Sequence, residues 1–299
     1  MKELVSLVSE ETLTPAVVQA RQLLRGPLRP AAEAHHGQAP LWMGITDQVE
    51  AAARSWLATP TWSDSQAHLE QHQDALHAPI MREQLRELAT TSRQVGLHLQ
   101  ILDLAQERGT ENAYLPLVLG EHLPQWLATP DWEASEQYLT THADLLLRPE
   151  ALTLLTEQDK QGQEGSATIA VHTAILTIAR ARSVQEAYRL IRDAGLAREQ
   201  AEAALPEGDT DYLNAAAILA GSVHGDTLTA LLYLALSRAL GDTDDSEELI
   251  DALRAAAHEA DATARERAIA VVTETITAHP AQAVRLVKLL TALSSTAPR

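Results

Sequence analysis

A block of two dozen residues occurs twice in this chain. Residues 56–79 read WLATPTWSDSQAHLEQHQDALHAP, and residues 126–149 read WLATPDWEASEQYLTTHADLLLRP. The offset between the copies is constant from Trp56/Trp126 to Pro79/Pro149, without a gap. Matched pairs include Trp56/Trp126, Pro60/Pro130, Trp62/Trp132, Leu69/Leu139, His72/His142, Asp74/Asp144 and Pro79/Pro149. A match of this length points to duplication of a structural unit. Such units bury their apolar faces by stacking on one another. The feature therefore speaks first about architecture and only indirectly about chemistry.

The similarity resumes further along. HLQILDLAQERGTENAY at 98–114 matches HTAILTIARARSVQEAY at 172–188, now at a slightly longer offset. A short insertion has entered between the blocks, and GQEGS at 162–166 is the expected site. Paired positions here include His98/His172, Ile101/Ile175, Ala105/Ala179 and Tyr114/Tyr188. Apolar residues recur at helical spacing almost throughout, and no alternating strand pattern persists. A residue before proline is pushed out of the α region, so a helix over about 45–58 should stop before Pro60. Thr61, or Asp131 in the second copy, then supplies an N-cap for the next helix.

Outside the repeats, Thr14-Pro15 has the form of a helix start, and Gly26 is the expected stop. Residues 26–40 have linker composition, rich in Gly and Pro. Beyond Trp132 there are no further tryptophans. ALLYLA at 230–235 resembles AILTIA at 174–179, which suggests a degenerate third unit. Helices are expected at about 210–222, 226–240, 246–260, 263–278 and 281–294. The expected organisation is an N-terminal helix and linker at 1–40, two related helical repeat units at 41–191, and a C-terminal helical region at 192–299. The expected fold class is all-α, a solenoid-like array of about a dozen helices.

The stretch L-A-T-P-[TD]-W-x-x-S-x-x-x-L-x-x-H-x-D-x-L resembles a helical repeat of actinobacterial proteins. There it precedes tetratricopeptide repeats and caspase-like CHAT domains. The matching residues are Thr61 or Asp131, Trp62/Trp132, Ser65/Ser135, Leu69/Leu139, His72/His142, Asp74/Asp144 and Leu76/Leu146. Arg108-Gly109 with Ala113-Tyr114, and Arg182 with Ala187-Tyr188, fit a later segment of the same family. The likeness covers about 45–190. It implies a helical interaction platform, and it does not imply the protease, because a CHAT active site needs a cysteine and the chain has none.

Composition narrows the classes further. A net charge of −18 argues against a phosphate-binding surface, which needs clustered Lys and Arg. Partners are expected to be basic or neutral. Lack of cysteine removes disulfides, thiolate nucleophiles and Cys-ligated zinc. Aromatics are only 3% of residues, and phenylalanine is absent. Polyene cyclases line their pockets with rings, so this scarcity weighs against that class. The N-terminal segment is interrupted by Glu3, Glu10 and Glu11, unlike a signal peptide. No stretch has the length of a membrane span, so the cytoplasm is the expected location.

Each chemistry-bearing pattern has a plainer structural reading. His68 and His72 stand at i, i+4, which is metal-ligand spacing, but the second copy has Tyr138 in place of His68. The expectation is no metal site, with His72 and His142 hydrogen-bonding a helix corner. His98 and His172 recur on apolar faces, where a satisfied structural imidazole is expected. Trp56, Trp62, Trp126 and Trp132 are expected to lock successive helices. DDSEE at 244–248 has the form of a diphosphate–metal motif, yet Ser246 and its acids also suit a helix N-terminus. No phosphate-cradling or nucleophile-elbow motif occurs. As binding candidates there remain His68, His72, His98, His172, Tyr114 and Tyr188. No catalytic residue, metal or cofactor is named. The resulting expectation is a non-catalytic protein-interaction scaffold with a protein or peptide partner. The alternative is a small-molecule-binding protein, or a cyclase or tailoring enzyme of actinobacterial specialised metabolism, that uses an apolar cavity in the bundle.

Overall fold

The computed structural model describes residues 49–160, 166–241, 243 and 246–295. Among them every regular element is helical. The described chain falls into two compact units, divided between His122 and Leu123. The Thr14 helix, the 26–40 linker and residues 162–165 of the insertion lie outside the described residues.

In the first unit α1 covers 49–57, followed by α2 (Trp62–Gln71), α3 (Gln73–Leu76), α4 (Pro79–Ala89), α5 (Arg93–Arg108) and the start of α6 (Thr110–Leu127). The T-P corner follows from backbone bookkeeping. The carbonyl of Trp56 loses its i+4 donor because residue 60 is proline. Thr59 Oγ1 donates to that carbonyl instead, at 2.8 Å. Thr61 Oγ1 then accepts from the Asp64 N–H at 3.0 Å and starts α2. Trp56, Leu69, Leu76, Leu85, Leu102 and Tyr114 form the buried centre.

The second unit repeats this layout. It has the end of α6, then α7 (Trp132–Thr141), α8 (Ala143–Leu146), α9 (Pro149–Lys160), α10 (Ser166–Ala181) and α11 (Val184–Arg192). Thr129 Oγ1 donates to the Trp126 carbonyl at 2.8 Å, replacing the N–H that Pro130 lacks. Asp131 Oδ1 accepts from the Ala134 N–H at 2.8 Å. Leu139, Leu146, Leu155, Leu176 and Tyr188 are buried at the matched places.

The second unit then continues through α12 (Ala194–Ala204), a 3₁₀ turn at Leu205–Glu207, α13 (Thr210–Ile218), a π-helical turn at Leu219–Val223, α14 (Thr227–Leu240), α15 (Glu247–Glu259), α16 (Ala262–Ala278), a second 3₁₀ turn at Pro280–Gln282, and α17 (Ala283–Ser294). Helix α13 packs on α10 and α14, and α15 packs on α14 and α17. Gly221 makes the π turn compact, since a Cβ there would lie 3.2 Å from the Ala230 side chain. Gly225, at φ 68°, takes the left-handed conformation that lets Asp226 cap α14. Ser246 Oγ accepts from the Leu249 N–H at 3.3 Å, with Glu247 and Glu248 in the first turn of α15. That is the helix-start reading of this acidic run; Asp244 and Asp245 lie outside the described residues.

The described residues hold 17 α-helices rather than about a dozen. Two of the additional helices are α3 and α8, four residues each and too short to show a period. None of the described helices is long and apolar enough to cross a membrane.

Candidate functional site

Four of the residues shared by the two copies converge on one buried cluster in each unit: Trp56, Ser65, His98 and Tyr114, and Trp126, Ser135, His172 and Tyr188. In the first, the Trp56 indole N–H donates to Tyr114 Oη at 2.8 Å, and Ser65 Oγ shares a 2.9 Å hydrogen bond with the same oxygen. In the second, Trp126 Nε1 donates to Tyr188 Oη at 3.2 Å, with Ser135 Oγ at 2.6 Å. Trp126 also donates to the Ser135 carbonyl at 3.3 Å. Trp56, Trp126, Tyr114 and Tyr188 are wholly buried, and Ser65 and Ser135 are nearly so. Burial pushes both phenols above their ordinary pKa, so they stay neutral and serve as hydrogen-bonding hydroxyls.

An imidazole closes each cluster. His98 stands edge-on to Trp56, with ring centroids 4.9 Å apart and planes at 88°. His172 meets Trp126 at 4.6 Å and 85°. Trp62 lies over His98 at 5.3 Å, and Trp132 over His172 at 5.8 Å. Both outer tryptophans are only half-buried, unlike Trp56 and Trp126. The Nδ1–H of His98 donates to the Gln94 carbonyl at 3.0 Å, and that of His172 to the Thr168 carbonyl at 2.8 Å. Desolvation holds both imidazoles below the usual histidine pKa, since burial opposes the cation. His172 Nε2 is buried without a hydrogen-bond partner among the described residues. Of the six sequence candidates, His98, His172, Tyr114 and Tyr188 thus spend polar atoms on neighbours inside the core.

His68 and His72 lie apart from this cluster, at the C-terminal end of α2. Their ring centroids are 4.4 Å apart. His68 Nε2 donates to the Ala52 carbonyl at 2.9 Å. His72 is the cap residue between α2 and α3, and its side chain makes no cap hydrogen bond. The corner is closed by its backbone N–H, which bonds the His68 and Leu69 carbonyls. The imidazole therefore stacks on its neighbour instead of hydrogen-bonding the corner. In the second copy Tyr138 and His142 stack in the same way, 4.5 Å apart. Asp74 and Asp144 are exposed in the first turns of α3 and α8.

A shallow cleft opens in the second unit between α12, α14 and α16. It has a volume of about 50 Å³ and is lined by Arg198, Glu202, Asp226, Tyr233, Arg267 and Val271, among others. Arg198 pairs with Asp226 at 2.8 Å, and Arg267 grips Glu202 through two bonds of 3.0 and 3.1 Å. Thr229 and Arg198 hold the Asp226 carboxyl below the usual range, against its own burial. Tyr233, in the stretch that resembles 174–179, donates to the Arg198 carbonyl at 3.3 Å. These groups neutralise one another and tie three helices together. None of them stood out in the sequence, because their partners are 28 to 65 residues away.

No family model, curated protein or solved structure matches the chain. The tyrosine hydroxyls of the buried clusters are occupied by indole and serine. Sequence reasoning passed over Ser65 and Ser135 as functional positions. The available signal was their recurrence at the same place in each copy, together with equally recurrent tyrosines.

Proposed function

We propose that the chain is a non-catalytic helical-repeat protein, tetratricopeptide-like in kind, that acts as a protein-interaction scaffold. One observation supports this reading above the others. The tryptophan, tyrosine and serine at the matched positions Trp56/Trp126, Tyr114/Tyr188 and Ser65/Ser135 hydrogen-bond one another inside the core of each copy. Duplication of a catalytic site would instead keep reactive atoms facing a substrate. What was duplicated here is a joint, which is the element a stacked array needs. The resemblance to actinobacterial repeats upstream of CHAT domains agrees with this assignment.

The partner is a basic or neutral helix or peptide, because a chain with 41 acidic against 23 basic residues repels acidic ones. The alternative, a small-molecule-binding protein or cyclase, gains nothing from the cleft at Arg198. Its volume of about 50 Å³ is far below the roughly 300–1,000 Å³ of small-molecule sites. The test is fluorescence anisotropy with two labelled amphipathic helical peptides, one basic and one with its Lys and Arg replaced by Glu. The basic peptide should bind, and its affinity should fall as salt rises. Equal binding of both peptides, or turnover of a small-molecule substrate by the purified chain, would count against the proposal.

A further inference from the structure

We propose that His68 and His72 form a two-imidazole binding site for a divalent transition ion of the zinc class. The proposal is independent of the scaffold reading. The two rings leave one face of the chain at i, i+4 and lie 4.4 Å apart. A carbonyl only accepts, so the bond from His68 Nε2 to the Ala52 carbonyl fixes the proton on Nε2. The Nδ1 lone pair of His68 is thereby left for a ligand. Histidines that bind metal commonly donate their other ring N–H to a backbone carbonyl in this way, which fixes tautomer and ring orientation. His72 is exposed, and its backbone, at φ −123° and ψ 27°, has already left the helix. Its ring can pivot from the stack until both imidazoles face one ion.

The second copy supplies the contrast. Tyr138 and His142 keep the same stack with one imidazole replaced by a phenol. Packing at this corner accepts either ring, whereas chelation needs two nitrogens. A neutral phenol is a poor ligand, and burial raises the Tyr138 pKa further. Among the described residues no group of three or more His, Asp or Glu stands close enough to hold a metal. Water, or a donor from outside the chain, therefore completes the four-coordinate shell. The bound ion would clamp the end of α2 to the start of α3 through the residue that caps both.

Isothermal titration of the full chain with Zn(II) alone at pH 7.5 tests this with two variants. His68→Tyr installs the residue found at the matched position of the second copy, so the stack survives. It should lose one equivalent of zinc, or weaken that equivalent by about tenfold or more, with helical circular dichroism unchanged. His72→Gln should do the same. Zinc binding by His68→Tyr with wild-type stoichiometry and affinity would overturn the proposal, and so would unchanged zinc binding by His72→Gln.

Discussion

The indole of Trp56 donates to the hydroxyl of Tyr114 across 58 residues of chain, and both side chains are wholly buried. This bond fastens the end of α1 to α6, while Ser65 brings α2 to the same oxygen. Tyr114→Phe removes the hydroxyl but leaves the indole N–H and the serine in place. Unpaired buried polar groups cost about 1–3 kcal/mol each. Tyr188→Phe leaves Trp126 a second acceptor, the Ser135 carbonyl at 3.3 Å. Urea denaturation should therefore show Tyr114→Phe to be the more damaging of the two. Equal losses would mean that the extra acceptor contributes nothing.

The four repeat tryptophans should separate into two classes. Trp56 and Trp126 are fully buried, and truncation to alanine should cost about 3–5 kcal/mol each. Trp62 and Trp132 are half-buried against the imidazoles, so their truncation should cost less, and by similar amounts. The check is the denaturation midpoint of each alanine variant at constant m-value. A more severe loss at Trp62 than at Trp56 would contradict the packing described.

Stability should fall on mild acidification. His98 and His172 have folded-state pKa values below the ordinary 6.5, chiefly through burial. Between the lowered values and 6.5 the unfolded chain binds more protons than the folded one, so unfolding gains as pH drops. The stabilising difference is complete above about pH 7. It erodes as pH falls through 6.5 towards the folded values. Melting curves from pH 7.5 to 5.5 should show this decline, and His98→Gln with His172→Gln should flatten it.

Much of the fold was legible because it is written in local chemistry. Pro60 and Pro130 stop helices through a missing donor, Thr61 and Asp131 cap the next ones, and Ser246 starts α15. Leu69/Leu139 and Ile101/Ile175 are buried at both repeats, as their spacing implied. The pairing of Trp56 with Tyr114 was not legible, since spacing alone does not say which of several buried polar groups meet. The same holds for Arg267 with Glu202, 65 residues apart. The ring stack at His68 and His72 also escaped, because a helix-corner imidazole has two ways to be satisfied and only geometry separates them. The π turn at Leu219–Val223 has no sequence period of its own.

The central claim is that the residues shared by the two copies act on each other as packing partners. A pair of double-mutant cycles measures this directly, one with Trp56→Phe and Tyr114→Phe, the other with Trp126→Phe and Tyr188→Phe. Groups in direct contact couple by about 0.5–3 kcal/mol, whereas independent sites add within about 0.3–0.5 kcal/mol. Coupling in the first range is predicted in both copies. Simple additivity in either one would contradict the account.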